Sequence, residues 1–349
     1  MSTSNLKRTA FITFIIAVVS LSITIVIGVG SGAFQTIAGR TTTSGSYREY
    51  RFDPPEKGSY IITDNGIQNP MLIRKSTEIR ESVAMFQIDE QEIKLMADVH
   101  LITAKSSREK IRINERSGKA AVIRLHGTAT IKKPHLMISQ NKGVMIISVE
   151  RKYSSFAYTS DDNIILDIEL PKKYTGKLSI ESISGSIDLG SHDYDGVTLK
   201  TTSGSISIEN MNTPEFNSET VSGSLYAKAL LTGRSQISST SGGINIGAFT
   251  GDANVNSVSG TVGITYTAVP GNLSAGTTSG NIIVELPNFA KFQLDASSTS
   301  GDVMCGFPIT IANPHSNSGN HSIVGIVSNG KGQIRLHSVS GGIAVNRGE

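Results

Sequence analysis

The chain has no tryptophan and a single cysteine, Cys305, among its 349 residues. One cysteine forms no intramolecular disulfide, and it excludes both a framework of paired cysteines and a CxxC metal site. Charged residues are scarce at 17 %, against roughly 25 % in an average protein. Glycine is abundant, with 35 residues, but it does not recur at every third position as collagen requires. With 38 % apolar residues, the chain can bury a core and is not a disordered polymer.

The formal net charge of +3 is unevenly distributed. Residues 1–180 carry 25 Lys+Arg and 17 Asp+Glu, whereas residues 181–349 carry 7 and 12. Nucleic-acid binding needs basic side chains clustered along one face. The second half is acidic, and the first half mixes both signs, which is typical of a solvated surface. The sequence therefore predicts no nucleic-acid partner.

An uncharged run of about twenty residues, Ala10 to Val29, follows Lys7 and Arg8. At about 1.5 Å per residue it spans roughly 30 Å as a helix, which is enough to cross a bilayer. The positive flank keeps the N-terminus on the cytoplasmic side. We therefore expect a cytoplasmic segment at 1–9, a membrane anchor at 10–30 and an extracytoplasmic remainder. The alternative is a cleaved signal peptide with a small-residue site at 31–33 and a secreted product.

Two further regions precede the glycine-rich half. Residues 31–69, with a Thr/Ser/Gly run and Pro54-Pro55, are typical of a flexible stalk. Residues 70–176 form an N-terminal β region of short alternating runs, ended by Pro171.

From residue 177 to 349 one unit repeats. The tetrapeptide [Ser/Thr]-[Ile/Val/Thr]-Ser-Gly occurs eight times, at intervals of 18 to 21 residues and a final interval of 40. A period of about 20 residues is typical of a solenoid. The interval of 40 is interpreted as two turns with one degenerate copy. The repeated Ser-Gly pairs are Ser184-Gly185, Ser203-Gly204, Ser222-Gly223, Ser241-Gly242, Ser259-Gly260, Ser279-Gly280, Ser300-Gly301 and Ser340-Gly341.

Aliphatic residues recur two and four positions after each glycine, as at Ile187 and Leu189. Spacing by two places them on one face of a strand. Each repeat is thus a strand, a Ser-Gly corner, a second strand and a short polar loop. We predict an all-β, single-stranded parallel β-solenoid, because stacking in register explains why like residues recur. An antiparallel sandwich of Ser-Gly hairpins is the alternative.

The corner residues have expected structural roles. Glycine suits the corner because it adopts positive φ without a Cβ clash. The serine column, and the Ser/Thr column two residues earlier, share the alternation of the apolar positions. We expect both sets of hydroxyls to point inward and to hydrogen-bond at the corner.

The element Ile168-Glu169-Leu170-Pro171, the repeats from Lys177 and the ending Gly330 to Gly341 resemble a known family. They are similar to the bacterial "putative adhesin" domain family of unknown function, related to Toastrack-type and Lia-type membrane-anchored envelope proteins. The resemblance covers roughly residues 85–349. It implies a β-helical extracytoplasmic domain with a surface-binding or envelope-stress role, and it supplies no catalytic residues. At 307–330 one repeat is replaced by a longer loop.

The sequence holds no G-x-S-x-G, G-x-x-x-x-G-K-[ST] or H-E-x-x-H motif. Eight recurring serines indicate a structural role, because a nucleophile is single and needs a base. We therefore predict no enzyme, no catalytic residue and no cofactor. The best metal candidate is a calcium site at Asp188, Asp193 and Asp195, although an Asp-Gly turn is the more ordinary interpretation.

These observations favour an adhesin-like binding module of the cell envelope whose ligand, protein or glycan, the sequence does not name. A self-associating structural component is the second hypothesis, because the open ends of a parallel stack are unpaired edges. A carbohydrate-active β-helix enzyme is the third. It needs acidic groups converging on one outer face, and the outward column three after each glycine contains no such cluster.

Overall fold

The computed structural model describes residues 61–63, 66–68, 84–85, 89–95, 98–129, 134–150, 163–311 and 321–348. The chain divides into two compact units, Met1–Asn69 and Pro70–Glu349. In the first unit, β1 (Ile61–Thr63) and β2 (Gly66–Gln68) form an antiparallel pair at the end of the predicted stalk. The anchor predicted at 10–30 lies outside the described residues. Within the described part of the chain, no helix has the length and apolarity to cross a membrane.

The second unit consists of strands, and its described residues include no α-helix. Its first eight strands confirm the β structure expected from the alternating runs, because apolar and polar residues alternate between the core and the surface. These strands are β3 (Ala84–Met85), β4 (Asp89–Lys94), β5 (Leu101–Ser106), β6 (Lys110–Arg116), β7 (Ala120–Ala129), β8 (His135–Asn141), β9 (Val144–Glu150) and β10 (Asn163–Pro171).

The glycine-rich half contains the remaining described strands. They are β11 (Lys177–Ser182), β12 (Ile187–Leu189), β13 (His192–Asp193), β14 (Gly196–Thr201), β15 (Ile206–Thr220), β16 (Leu225–Ser239), β17 (Ile244–Ser257), β18 (Val262–Tyr266), β19 (Asn272–Thr277), β20 (Ile282–Leu286), β21 (Phe292–Ser298), β22 (Val303–Cys305), β23 (Thr310–Ile311), β24 (Ser322–Val327), β25 (Gly332–Ser338) and β26 (Ile343–Arg347).

Successive repeats pair in parallel and in register, which confirms the solenoid and shows that the hairpin alternative is wrong. Leu178 pairs with Val197, and Val197 with Phe216, at intervals of 19 residues. We call the strands before each corner glycine the pre-corner sheet and those after it the post-corner sheet. The aliphatic columns two and four positions after each glycine are buried between them, except that Cys305 is only half-buried.

The polar loop predicted in every repeat is wrong in the middle of the stack. There β15, β16 and β17 each run for 14 or 15 residues, from the post-corner sheet of one layer into the pre-corner sheet of the next. A third buried column supports this continuity. It includes Met211, Leu230 and Phe249, and Phe249 packs edge-on against Tyr266 with the ring centroids 5.0 Å apart.

The stack begins before the first Ser-Gly corner. Strand β11 pairs in parallel with β5, and β12 with β6, so residues 101–116 form a layer that lacks the motif. Strands β9 and β10 add to the two sheets in parallel, and β8 and β7 then pair with them in antiparallel orientation. The N-terminal β region therefore shares its sheets with the repeats.

At the other end, the order of layers departs from the order of the sequence. Strand β25 pairs with β19 on one side and with β21 on the other, so the last repeat lies between two earlier ones. Strand β24 pairs antiparallel with the outer side of β21. The prediction that a loop replaces the repeat at 307–330 is thus wrong for the described part, which holds β23 and β24.

The corner glycines are required for close approach of layers, and the expected positive φ is wrong. None of the eight has φ in the left-handed region. Instead, a Cβ on each glycine would lie 1.8–2.2 Å from the carbonyl oxygen of the corner residue in the adjacent layer. These carbonyls run in spatial order through Glu109, Gly185, Gly204, Gly223, Gly242, Gly260, Gly280 and Gly341.

The motif serines do not point inward, so that prediction is wrong too. All eight side chains are exposed, because two consecutive residues at the tight corner face solvent and interrupt the alternation. The buried hydroxyls are those two positions earlier. Ser239 Oγ, for example, donates to Gly242 O at 2.8 Å and accepts from Gly242 N at 2.9 Å. The motif serines contribute their backbone, as when Ser241 N donates to Val221 O at 2.8 Å.

Candidate binding face

The outward face of the pre-corner sheet is formed by residues eight, six and four positions before each corner glycine. Alternation along each strand sends these side chains to solvent, and parallel register aligns them into three columns across eight layers. None of these residues is apolar. In spatial order the middle column is Ser179, Thr198, Asn217, Gln236, Asn254, Ser274, Arg335 and Asp295.

Charge on this face is arranged by position. Near the N-terminal side, Lys105 pairs with Glu181 at 2.8 Å, and Lys200 pairs with Glu219 at 3.1 Å. Both pairs are about half exposed, so each contributes at most about 1 kcal/mol to stability. Toward the C-terminal side, amide side chains replace the ion pairs.

A groove of about 590 Å³ crosses the C-terminal part of this face. The groove presents donors and acceptors of every polar type: guanidinium, carboxylate, amide and hydroxyl. The residues lining it are Glu215, Asn217, Arg234, Ser235, Gln236, Asp252, Ala253, Asn254, Asn272, Leu273, Ser274 and Arg335.

The outward face of the post-corner sheet has a different composition. Its N-terminal part is an ion-pair network in which Arg112 lies 3.2 Å from Asp167 and Arg124 lies 2.5 Å from Glu169. His126 Nε2 lies 2.5 Å from the same Asp167 carboxylate. Toward the C-terminal side the column three after each glycine becomes apolar. It places Ala344 between Ile283 and Met304.

The three aspartates proposed for calcium lie in two places. Asp188 is in the post-corner sheet, where its carboxylate pairs with Lys110. Asp193 and Asp195 are exposed on either side of the buried Tyr194, and Asp195 N donates to Thr175 O at 2.7 Å. Among the residues that the structure describes, no three His, Cys, Asp or Glu side chains form a group that could hold a metal ion.

Behind this aspartate turn lies a buried cluster of aromatic rings. His192 Nε2 lies 2.6 Å from Tyr174 O, its Nδ1 lies 3.3 Å from Glu115 Oε2, and its ring centroid is 4.6 Å from that of Tyr194. Burial raises the pKa of the Tyr194 phenol, and the nearby Tyr174 and Glu115 raise it further. The cluster therefore packs the interior, and its phenols stay protonated at neutral pH.

The pre-corner face was not predicted from the sequence, because the prediction used only the outward column after each glycine. The columns before the glycine carry the signal. Those positions hold a polar residue or glycine in all eight repeats, while the residues between them, such as Phe216 and Leu273, are mostly apolar. The columns before the glycine thus indicate a face without apolar side chains, and the column after it indicates a mixed face.

Comparison with known proteins places residues 99–346 in a match to the Toastrack DUF4097 family model. A comparison with curated proteins finds no match.

Among solved structures, a "putative cell adhesion protein" from Clostridium sporogenes is 12 % identical with a TM-score of 0.25, covering 75 % of this chain and 100 % of that one. A "putative adhesin" from Bacteroides fragilis is 10 % identical with a TM-score of 0.42, covering 74 % and 97 %. One from Parabacteroides distasonis is 12 % identical with a TM-score of 0.42, covering 74 % and 97 %. The family match spans most of the chain and confirms the resemblance noted in its repeats: this chain belongs to the Toastrack DUF4097 family.

Proposed function

We propose that the chain is a non-enzymatic binding module of the cell envelope, held at the membrane by residues 10–30 with its β-solenoid outside the cytoplasm. The observation that carries the proposal is the pre-corner face. Eight stacked layers hold three columns of polar side chains at a fixed spacing of about 4.8 Å. Side chains on paired strands are held more rigidly than side chains on loops, which suits a face that recognises an extended ligand.

The architecture of the stack ends supports a binding module over a self-associating filament. At the described ends, β8 and β4 on the N-terminal side, and β24 and β23 beyond the pre-corner sheet on the other side, pair antiparallel with their neighbours, whereas β22 ends the post-corner sheet in parallel with β26. A second copy that continued the parallel solenoid would have to displace these strands. Such capping of edges is a common way in which β proteins avoid edge-to-edge addition.

Membrane anchoring rests on the uncharged run after Lys7 and Arg8. Protease added to intact cells that express the full chain with a C-terminal tag tests this topology. We expect removal of the tag from intact cells and a membrane-associated remnant. Protection of the tag until lysis would contradict the orientation, and release of the whole chain into the medium would indicate the cleaved signal peptide.

Binding is tested with the full chain, solubilised in detergent and immobilised, against envelope fragments of the bacterium that produces it. We expect retention of the fragments by the folded chain and no retention by heat-unfolded chain on the same support. Equal retention by both would overturn the proposal. Sedimentation of the free chain over a concentration range completes the test, because growth into rods would favour the structural alternative.

A further inference from the structure

The groove on the pre-corner face contains two guanidinium groups without a carboxylate partner. In the register of the sheet, Arg234 lies between Glu215 and Asp252. Among the described residues, however, it forms no ion pair with either. Arg335 lies three layers further along and next to Asp295 in the register of the sheet. Among the described residues it forms no ion pair, and its one polar contact is a hydrogen bond to Gln333 on its own strand. Both side chains are exposed, so their remaining donors point to solvent.

The carboxylate between the two arginines is already held in place. Asp252 Oδ1 accepts the Asn272 backbone N–H at 2.9 Å, and Asp252 Oδ2 accepts from Asn272 Nδ2 at 3.2 Å. A Cβ on Gly271 would lie 2.6 Å from Asp252 Oδ1, so glycine makes room for this arrangement. The aspartate is thereby positioned toward Asn272, which leaves both guanidinium groups available to a ligand.

Spacing favours a ligand that is extended along the stack. Three layers at about 4.8 Å separate Arg234 from Arg335 by roughly 14 Å. The middle column leads from the layer of Arg234 to Arg335 through Gln236, Asn254 and Ser274, whose amides and hydroxyl both donate and accept hydrogen bonds. A guanidinium binds a carboxylate through two parallel hydrogen bonds. The groove thus holds a row of hydroxyl-binding groups with a carboxylate-binding group toward each end.

Two other polymer classes fit this groove less well. The core of a protein interface is apolar and aromatic, and this face has no apolar side chain in its three columns. A polyphosphate has no hydrogen-bond donor to offer Glu215 and Asp252, so it would leave both carboxylates of the groove without a partner. Sugar hydroxyls, in contrast, donate to those same carboxylates.

We propose that this groove binds an acidic polysaccharide lying along the stacking axis, with Arg234 and Arg335 taking carboxylates of separate sugar units. The inference rests on the proposed binding function and names its ligand class. No aromatic side chain in the groove stacks on a sugar ring. Affinity therefore comes from many polar contacts and increases with the length of the polysaccharide.

The test uses the full chain in detergent, with polygalacturonate as the acidic probe and dextran as the neutral one. The variants are Arg234→Gln, Arg335→Gln and the double substitution. The matched control is Lys228→Gln, which removes one exposed positive charge outside the groove, where Lys228 pairs with Glu209 at 3.5 Å. Circular dichroism and thermal unfolding check that each variant folds, which we expect because all three side chains are exposed.

We expect the double variant to bind polygalacturonate at least tenfold more weakly, and each single variant to show an intermediate loss. Lys228→Gln should bind like the unsubstituted chain, dextran should bind more weakly than polygalacturonate, and short oligomers more weakly than the polymer. Unchanged binding in the folded double variant, or equal binding of both probes, overturns the inference. Retention of envelope fragments without polygalacturonate binding also overturns it and leaves the proposed function standing. Failure of the folded, unsubstituted chain to retain envelope fragments overturns the proposed function itself.

Discussion

The corner column and the pre-corner face pass through the same eight layers and follow opposite rules. At the corner every layer has glycine, preceded by an exposed serine and, three positions earlier, by a buried Ser or Thr. On the pre-corner face no residue type is required, and the side chains vary among Lys, Glu, Asn, Gln, Asp, Arg, Ser, Thr and His, with glycine at two positions. A position where the same residue recurs is thus one where layers touch. A position where different polar residues occur is one that faces water or a ligand.

The largest difference in stability is expected between substitutions of two adjacent glycines at one corner. A Cβ on Gly242 would meet Gly223 O at 1.9 Å, whereas a Cβ on Gly243 would meet nothing nearer than Thr261 O at 3.6 Å. Gly242→Ala should lower the free energy of unfolding by about 3 kcal/mol or more, while Gly243→Ala should change it by less than about 1 kcal/mol. Urea unfolding measures both. Equal losses would show that the corner does not depend on contact between layers.

The two serines of the same corner give the next largest difference. Ser239→Ala leaves a buried N–H and a buried carbonyl of Gly242 without their hydroxyl partner, so we expect a loss of about 1–3 kcal/mol. Ser241→Ala removes an exposed hydroxyl and should cost less than about 0.5 kcal/mol. The same unfolding experiment compares them. A larger loss of unfolding free energy in Ser241→Ala than in Ser239→Ala would support the inward orientation that the sequence predicts for Ser241.

A smaller, pH-dependent effect is expected from the interior at Tyr266. Its buried hydroxyl has no hydrogen-bond partner among the described residues. Burial raises its pKa above the ordinary value, and Asp252 raises it further. The unfolded chain therefore loses this proton from about pH 10 while the folded chain keeps it, so stability falls as the pH rises.

Tyr266→Phe removes that titration and should reduce the loss of stability between about pH 9 and 11. Tyr226→Phe is the control, because Tyr226 is 52 % exposed. Thermal unfolding across this pH range measures the difference. An identical alkaline loss in the chain with and without Tyr266→Phe would contradict the role of burial.

The smallest effect is expected on the pre-corner face itself. Asn254→Ser exchanges one exposed polar side chain for another and should change the free energy of unfolding by less than about 0.5 kcal/mol. Asn254→Leu tests the other half of the rule, since it should leave stability similar but weaken polysaccharide binding in the groove. A large loss of stability in Asn254→Ser would mean that the polar columns support the fold.

Much of the fold could be predicted because its determinants are local and recur. The interval of about 20 residues and the aliphatic pairs such as Ile187 and Leu189 follow directly from parallel stacking. The orientation of Ser241 could not be predicted, because the corner adds one residue that breaks the alternation. The role of Gly242 was also missed, since a clash with Gly223 O exists only once two layers are in contact.

The order of the last layers could not be predicted from the sequence either, because it also depends on how the layers meet in space. The residues of β25 match the repeat pattern equally well whether they follow β21 or precede it in space. The chain reverses between β24 and β25 at Ser328 and Asn329, whose φ values of 50° and 57° form a tight turn. Gly330 then passes over the start of β21, where a Cβ would lie 1.9 Å from Phe292 N. The groove could not be predicted for the same reason. The position of β25 between β19 and β21 is what places Arg335 in the same groove as Arg234.

The position of the last repeat also bears on how the chain acquires its structure as it emerges during synthesis. The layers up to β20 can add one upon another in the order in which they appear. Among the described strands, β21 then has no parallel partner until β25 has been made some 40 residues later, so this end of the stack closes only after β25 has been synthesised. The earlier layers therefore depend on contacts between neighbouring repeats, whereas the last layers depend on a contact between segments some 40 residues apart, which costs more loop-closure entropy.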